Sequence, residues 1–142
     1  MTAGKQIRRE GPFKSIIPDG VLVGNIIYLS GHVSVDDTGK LVGKNDMSIQ
    51  INQIYDNVKR TLGTFDAQMA DIVDETVFTT DIDLFLDDRT KAFEIRRRAF
   101  AQEPETSQTL VQVARLANRD WLVEIKCVAH LPDEKLSSPQ DN

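Results

Sequence analysis

Leu122-Val123-Glu124-Ile125-Lys126-Cys127-Val128-Ala129-His130-Leu131 is the stretch that decides the fold. Val123, Ile125, Cys127, Ala129 and Leu131 form an unbroken apolar row, which the two-residue period of an extended chain places on one face. The alternate row, Leu122, Glu124, Lys126, Val128 and His130, mixes aliphatic with charged side chains. One face of this strand is therefore made to pack on helices. The other is either open to water or set against a partly wet subunit contact.

Working outward, Gln108 to Leu116 alternates in the same way, with Thr109, Val111 and Val113 on one side and Gln108, Leu110 and Gln112 on the other. Asp74 to Ile82 predicts another strand region, in which Thr76, Phe78, Thr80 and Ile82 oppose Val77, Thr79 and Asp81. Nearer the start, Val21 to Ser30 reads as two β segments joined by Gly24-Asn25, a hairpin signal. Val33 to Val35 extends the second, and Asp36 to Lys40 turns the chain into a short segment at Leu41-Val42.

Two helices complete the pattern. Asn45 or Asp46 can cap the first, whose apolar positions 47, 51, 54, 55, 58 and 62 follow the 3.6-residue period until Gly63. A second is predicted from about Asp87 to Phe100, with Ala92, Ile95 and Ala99 inward and Pro104 beyond its end. The order implies an α+β domain with a mixed sheet and both helices on one of its faces. Residues 11–132 form this domain; the charged segment 1–10 and the polar segment 133–142 are expected to be loose.

Composition narrows the partners. The 142 residues suit one domain, and a net charge of −5 opposes nucleic acid and anionic membranes. Arg96-Arg97-Arg98, inside the second helix, is expected to be a solvated or subunit-contact face. The single cysteine, Cys127, sits in the apolar row and excludes an internal disulfide. The polar N-terminus has no signal-peptide core, and no apolar run reaches membrane-spanning length, so a cytoplasmic location is expected. His32, His130 and Cys127 have no metal-ligand spacing, and neither a phosphate loop nor a dinucleotide fingerprint is present, so no metal and no cofactor are expected. No serine stands in a nucleophile-elbow context.

Several segments, in order, resemble the YjgF/RidA (reactive intermediate deaminase) family over roughly residues 11 to 131. They are Gly11-Pro12-Phe13, Ile27-Tyr28-Leu29-Ser30-Gly31, Gln53 with Asp56-Asn57-Val58-Lys59, Asp71-Ile72-Val73 with Thr76-Val77-Phe78, Val113-Ala114-Arg115-Leu116, and Val123-Glu124-Ile125 with Val128-Ala129. The resemblance implies a chorismate-mutase-like fold and a homotrimer whose sheets line a central barrel. It also implies three clefts between subunits for a small-molecule ligand. Enzymatic members hydrolyse enamines and imines derived from amino acids to the keto acid and ammonia.

Carried over residue by residue, Ser30 and Gly31 line the cleft and Glu124 matches the glutamate that positions or activates water. Phe13 stands where many members have tyrosine. Gln108 stands where enzymatic members have the arginine that grips the substrate carboxylate, so a two-pronged charged contact is missing and the chain belongs to a divergent branch. A further cleft residue falls at Arg89 or at Phe93, depending on which side the segment is aligned from. Residue chemistry also allows plainer roles: Glu124 as one member of an ion pair with a neighbouring strand, Arg89 as a solvated helix residue, and Ser30-Gly31 as a strand end that needs small side chains. His32 is either a proton carrier near neutral pH or a hydrogen-bonded structural residue.

Overall fold

The computed structural model describes residues 4–136. Within them lies one six-stranded sheet in the order β1-β2-β3-β6-β4-β5. β1 is Lys5–Arg8, β2 Gly20–Val23, β3 Ile26–Leu29, β4 Ile72–Thr79, β5 Ser107–Gln112 and β6 Val123–His130. All neighbours are antiparallel except β4 and β5, which run parallel and are joined by a helical crossover. Gly24 takes a φ of 61° at the first central position of the two-residue β2–β3 turn, where a left-handed conformation is cheap only for glycine.

The decisive strand lies in the middle. Ala129 faces Ile27 on one side and Ile72 on the other, while Ile125 faces Val77 and Val123 faces Thr79. This row is sealed beneath α1 (Met47–Gly63), whose Ile51, Ile54, Tyr55, Val58 and Leu62 are buried. The Asp46 carboxylate caps α1 by accepting from the Ile49 N–H. The opposite face carries no helix; Tyr28, Glu124, Lys126 and Thr76 lie on it, and Tyr28 is half exposed.

Four expectations change. The segment 1–10 is not loose throughout: Lys5–Arg8 adds the edge strand, and the Arg8 guanidinium donates to the Thr64 carbonyl at 3.0 Å and lies over the Phe65 ring. The crossover is two helices rather than one from 87 to 100. Asp81 caps α2 (Ile82–Leu86) by accepting from the Leu84 N–H, so β4 stops at Thr79 and Ile82 is helical. Lys91 then takes a left-handed conformation before α3 (Ala92–Phe100), which breaks the helical run the sequence suggested. Leu41 makes only an isolated bridge to Val35. Arg96 is not a solvated residue but reaches inward from α3 to Glu75, whereas Arg97 and Arg98 stay exposed. Asp133–Leu136 forms a helical turn, α4, tied down by the Lys135 ammonium on the Asp66 carbonyl; the rest of the expected tail lies outside the described residues.

Candidate functional site

Past Leu29 the chain leaves β3, and His32 rejoins the sheet through a pair of backbone hydrogen bonds with Ile125. Ser30 and Gly31 lie between these two anchors. Glu124 precedes Ile125 on β6 and folds over Gly31: a Cβ placed on Gly31 would come within 2.5 Å of the Glu124 carboxylate oxygen. Only a glycine admits that approach. The carboxylate is half-buried, and desolvation pushes its pKa up while the Lys126 ammonium pulls it partly back. Lys126 itself donates to the Leu29 carbonyl at 2.8 Å.

Ser30 and Gly31 also form one wall of a cleft of about 400 Å³, closed by the 10–19 loop, by Val33 to Asp37 and by the exposed end of α1. Phe13 sits on this wall, its ring edge-on to Trp121 at 6.1 Å between centroids. The Trp121 indole nitrogen is buried and is the only such side-chain polar atom without a hydrogen-bond partner among the described residues.

The cleft's polar groups are mostly turned into the protein. Ser30 Oγ donates to the Pro18 carbonyl at 2.6 Å. His32 Nδ1 faces the Ser30 carbonyl at 2.7 Å and must donate there, which leaves Nε2, 2.8 Å from Thr61 Oγ1, to accept. Burial lowers the His32 pKa and keeps the ring neutral. Its two nitrogens are both engaged, so the structural role fits His32 better than that of a free proton carrier. Asn57 donates to the Val33 and Val35 carbonyls, which pins the 33–35 segment to α1.

The remaining candidates lie elsewhere. Gln108 pairs with Glu75 in the parallel register and so shares the helix-facing side of the sheet, opposite Glu124. Its amide donates to Glu75 Oε1 at 2.7 Å. That carboxylate is fully buried, is bound by the Arg96 guanidinium, and takes the Tyr55 hydroxyl at 3.2 Å on its second oxygen. Gln108 is thus one donor of a buried polar cluster and not, within one chain, a contact to the Ser30 cleft. Arg89 is outside any helix, its side chain 89% exposed and paired with Asp87. Phe93 lies on α3, half exposed, edge-on to Phe85. Within one chain the structure unites Phe13, Ser30, Gly31 and Glu124, and leaves Gln108, Arg89 and Phe93 apart.

The sequence reading missed Asp19, Asp37 and Arg60 on the cleft wall. A signal existed for Asp19 alone: a carboxylate after Pro18 accepts readily from nearby backbone, and its Oδ2 binds the N–H groups of Glu10 and Gly11 at 2.6 and 2.8 Å. His130 is exposed and accepts from the Asn25 amide, and Cys127 is buried, with burial holding its thiol protonated. Among the described residues no group of side chains is arranged to hold a metal, and no helix is long and apolar enough to cross a membrane.

Comparison with known proteins gives this arrangement a context. The family model described as Endoribonuclease L-PSP matches residues 8–131. A "RutC family protein" of Pyrococcus abyssi is 31% identical over 121 residues, covering 84% of this chain and 87% of its own length. A protein of Escherichia coli with "reactive intermediate deaminase" in its name is 31% identical over 113 residues, covering 78% of this chain and 82% of its own. A crystal structure from Mycobacterium tuberculosis, described as a member of the YjgF/YER057c/UK114 family, superposes with a TM-score of 0.73 at 23% identity, over 90% of this chain and all of that one. The chain belongs to the YjgF/RidA family, whose model carries the endoribonuclease L-PSP description.

Proposed function

We propose that this chain forms a homotrimer which binds a small polar metabolite in clefts between subunits and hydrolyses an enamine, imine or related C–N compound there. The observation that carries the reading is the seat of Glu124. A half-buried carboxylate with a raised pKa, against the one residue that leaves room for it, is poised to take and return a proton from a water molecule. The helix-free sheet face, with Tyr28 beside Val21, Val23 and Val128, supplies the apolar surface that a trimeric barrel would bury. In such an assembly Ser30, Gly31 and Phe13 would face residues of a neighbouring subunit.

A second reading is favoured by the placement of Gln108. Its amide is engaged with Glu75, so this position offers no charged grip for a carboxylate, and a trimer that keeps the scaffold for sensing or protein contact would show the same feature. The family description names an endoribonuclease, but an RNA substrate is opposed by the chain's net charge of −5.

Ammonia release from an enamine generated in situ separates the two. The catalytic reading expects turnover that Glu124→Gln abolishes with the fold intact. Equal rates in both proteins would remove Glu124 from the mechanism, and no turnover across neutral and amino-acid-derived enamines would favour the second reading. Sedimentation at micromolar concentration checks the assembly, and a monomer there would refute it.

A further inference from the structure

The charge and hydrogen-bonding character of the cleft point to a class of ligand. Four carboxylates line it (Glu10, Asp19, Asp36 and Asp37) against one guanidinium, Arg60, which leaves a formal −3. Arg60 is itself bound to Asp37, so its charge is largely spent within the wall. The neutral His32 adds nothing to offset the acids.

Donor supply points the same way. The side-chain donors of the wall are used internally: Ser30 on the Pro18 carbonyl, Thr64 on the Thr61 carbonyl, Asn57 on the Val33 and Val35 carbonyls, and Thr61 on His32. Unspent capacity on these side chains is mainly lone pairs, on hydroxyl and carboxylate oxygens. Thr38 holds Asp36 below the usual carboxylate range, so that group stays ionised to lower pH. A ligand entering here meets acceptors and negative charge. An anion would add like charge to a wall already in excess, whereas an N–H donor would find partners.

We propose that this cleft selects a small nitrogen compound bearing N–H donors and positive charge, such as an ammonium or amidinium, over an anion of the same shape. The inference rests on the reading of this cleft as the substrate site, and it names the class of substrate. It also fits position 108, where a residue that would grip a carboxylate is replaced by one turned inward.

The test uses three probes of nearly equal shape, isobutylammonium, isobutyramide and isobutyrate, titrated at low salt into the ¹⁵N-labelled full chain. Isobutylammonium is expected to shift the amide signals of Asp19, Gly31 and His32, with a Kd roughly tenfold below that of isobutyrate. Isobutyramide should fall between them. In the Glu10→Gln/Asp37→Asn variant, which removes two carboxylates and frees Arg60, the preference should shrink or reverse; an unchanged ratio would overturn the assignment to this wall. Should isobutyrate bind the cleft as tightly as the ammonium, the charge selection is wrong and the cleft reading survives. If none of the three moves these signals, both are wrong.

Discussion

Replacing Gln108 by leucine tests whether position 108 serves the interior. The amide gives the buried Glu75 carboxylate one hydrogen bond of 2.7 Å, while Arg96 and Tyr55 supply the others. A hydrogen bond to a charged group is worth about 1.5–3 kcal/mol. Glu75 would keep two partners in the variant, so the loss should fall near the lower bound, about 1.5–2 kcal/mol. Arg96→Met leaves the same carboxylate without its counter-charge and should cost more, about 3–5 kcal/mol. Gln108→Glu sets a second carboxylate against Glu75, and one of the pair must then take up a proton. That variant should be less stable than Gln108→Leu at pH 8, with the gap closing towards pH 5. Urea denaturation at fixed protein concentration reads all three, the fixed concentration removing any contribution from assembly. A leucine variant within about 0.5 kcal/mol of the parent would place the amide in solvent and refute the reasoning, since that is the usual range for surface changes.

Three further outcomes are expected. Gly31→Ala puts a Cβ within 2.5 Å of the Glu124 carboxylate; the glutamate end is flexible, so the fold should lose less than about 1 kcal/mol while turnover or cleft binding falls by roughly tenfold, and retained function would free Glu124 of its proposed seat. Ala101 closes α3 with a φ of 58°, a conformation cheap only for glycine, so Ala101→Gly should stabilise the protein by about 1 kcal/mol in the same urea assay. His32 has a folded pKa lowered by burial, so its share of stability is present above the ordinary value of 6.5 and is lost as pH falls through the folded value. In an NMR titration its ring protons should therefore show a midpoint below 6.5, and a midpoint above that value would contradict the buried neutral ring.

Residue patterns carried the fold much further than the site. The alternation in β6, the Gly24-Asn25 turn and the cap and period of α1 are local signals with one structural solution each, and each is found where its pattern points. The crossover was harder to read because Asp81 and Lys91 set helix boundaries through backbone conformation, which composition does not show. Arg96 was legible in principle: with Ala92, Ile95 and Ala99 it completes the i, i+3, i+4, i+7 stripe, but a basic triplet is ordinarily taken as surface. Glu75 shares the parity of Val77 and Thr79, and nothing local reveals that a carboxylate in that row has three partners brought from α1, α3 and β5. Those partners lie 20 to 33 residues away in the chain, and their meeting is a property of the assembled layers.

β6, the last strand to be synthesised, lies between β3 and β4. During translation the β1–β3 meander and the β4–β5 pair must therefore wait as two separate ribbons, each with a bare hydrogen-bonding edge. Nothing joins them until the decisive stretch beginning at Leu122 leaves the ribosome. A nascent chain stalled before that point would expose two pairing-competent margins at once, which makes it a natural client for chaperones and a candidate for misassembly with its neighbours on a polysome.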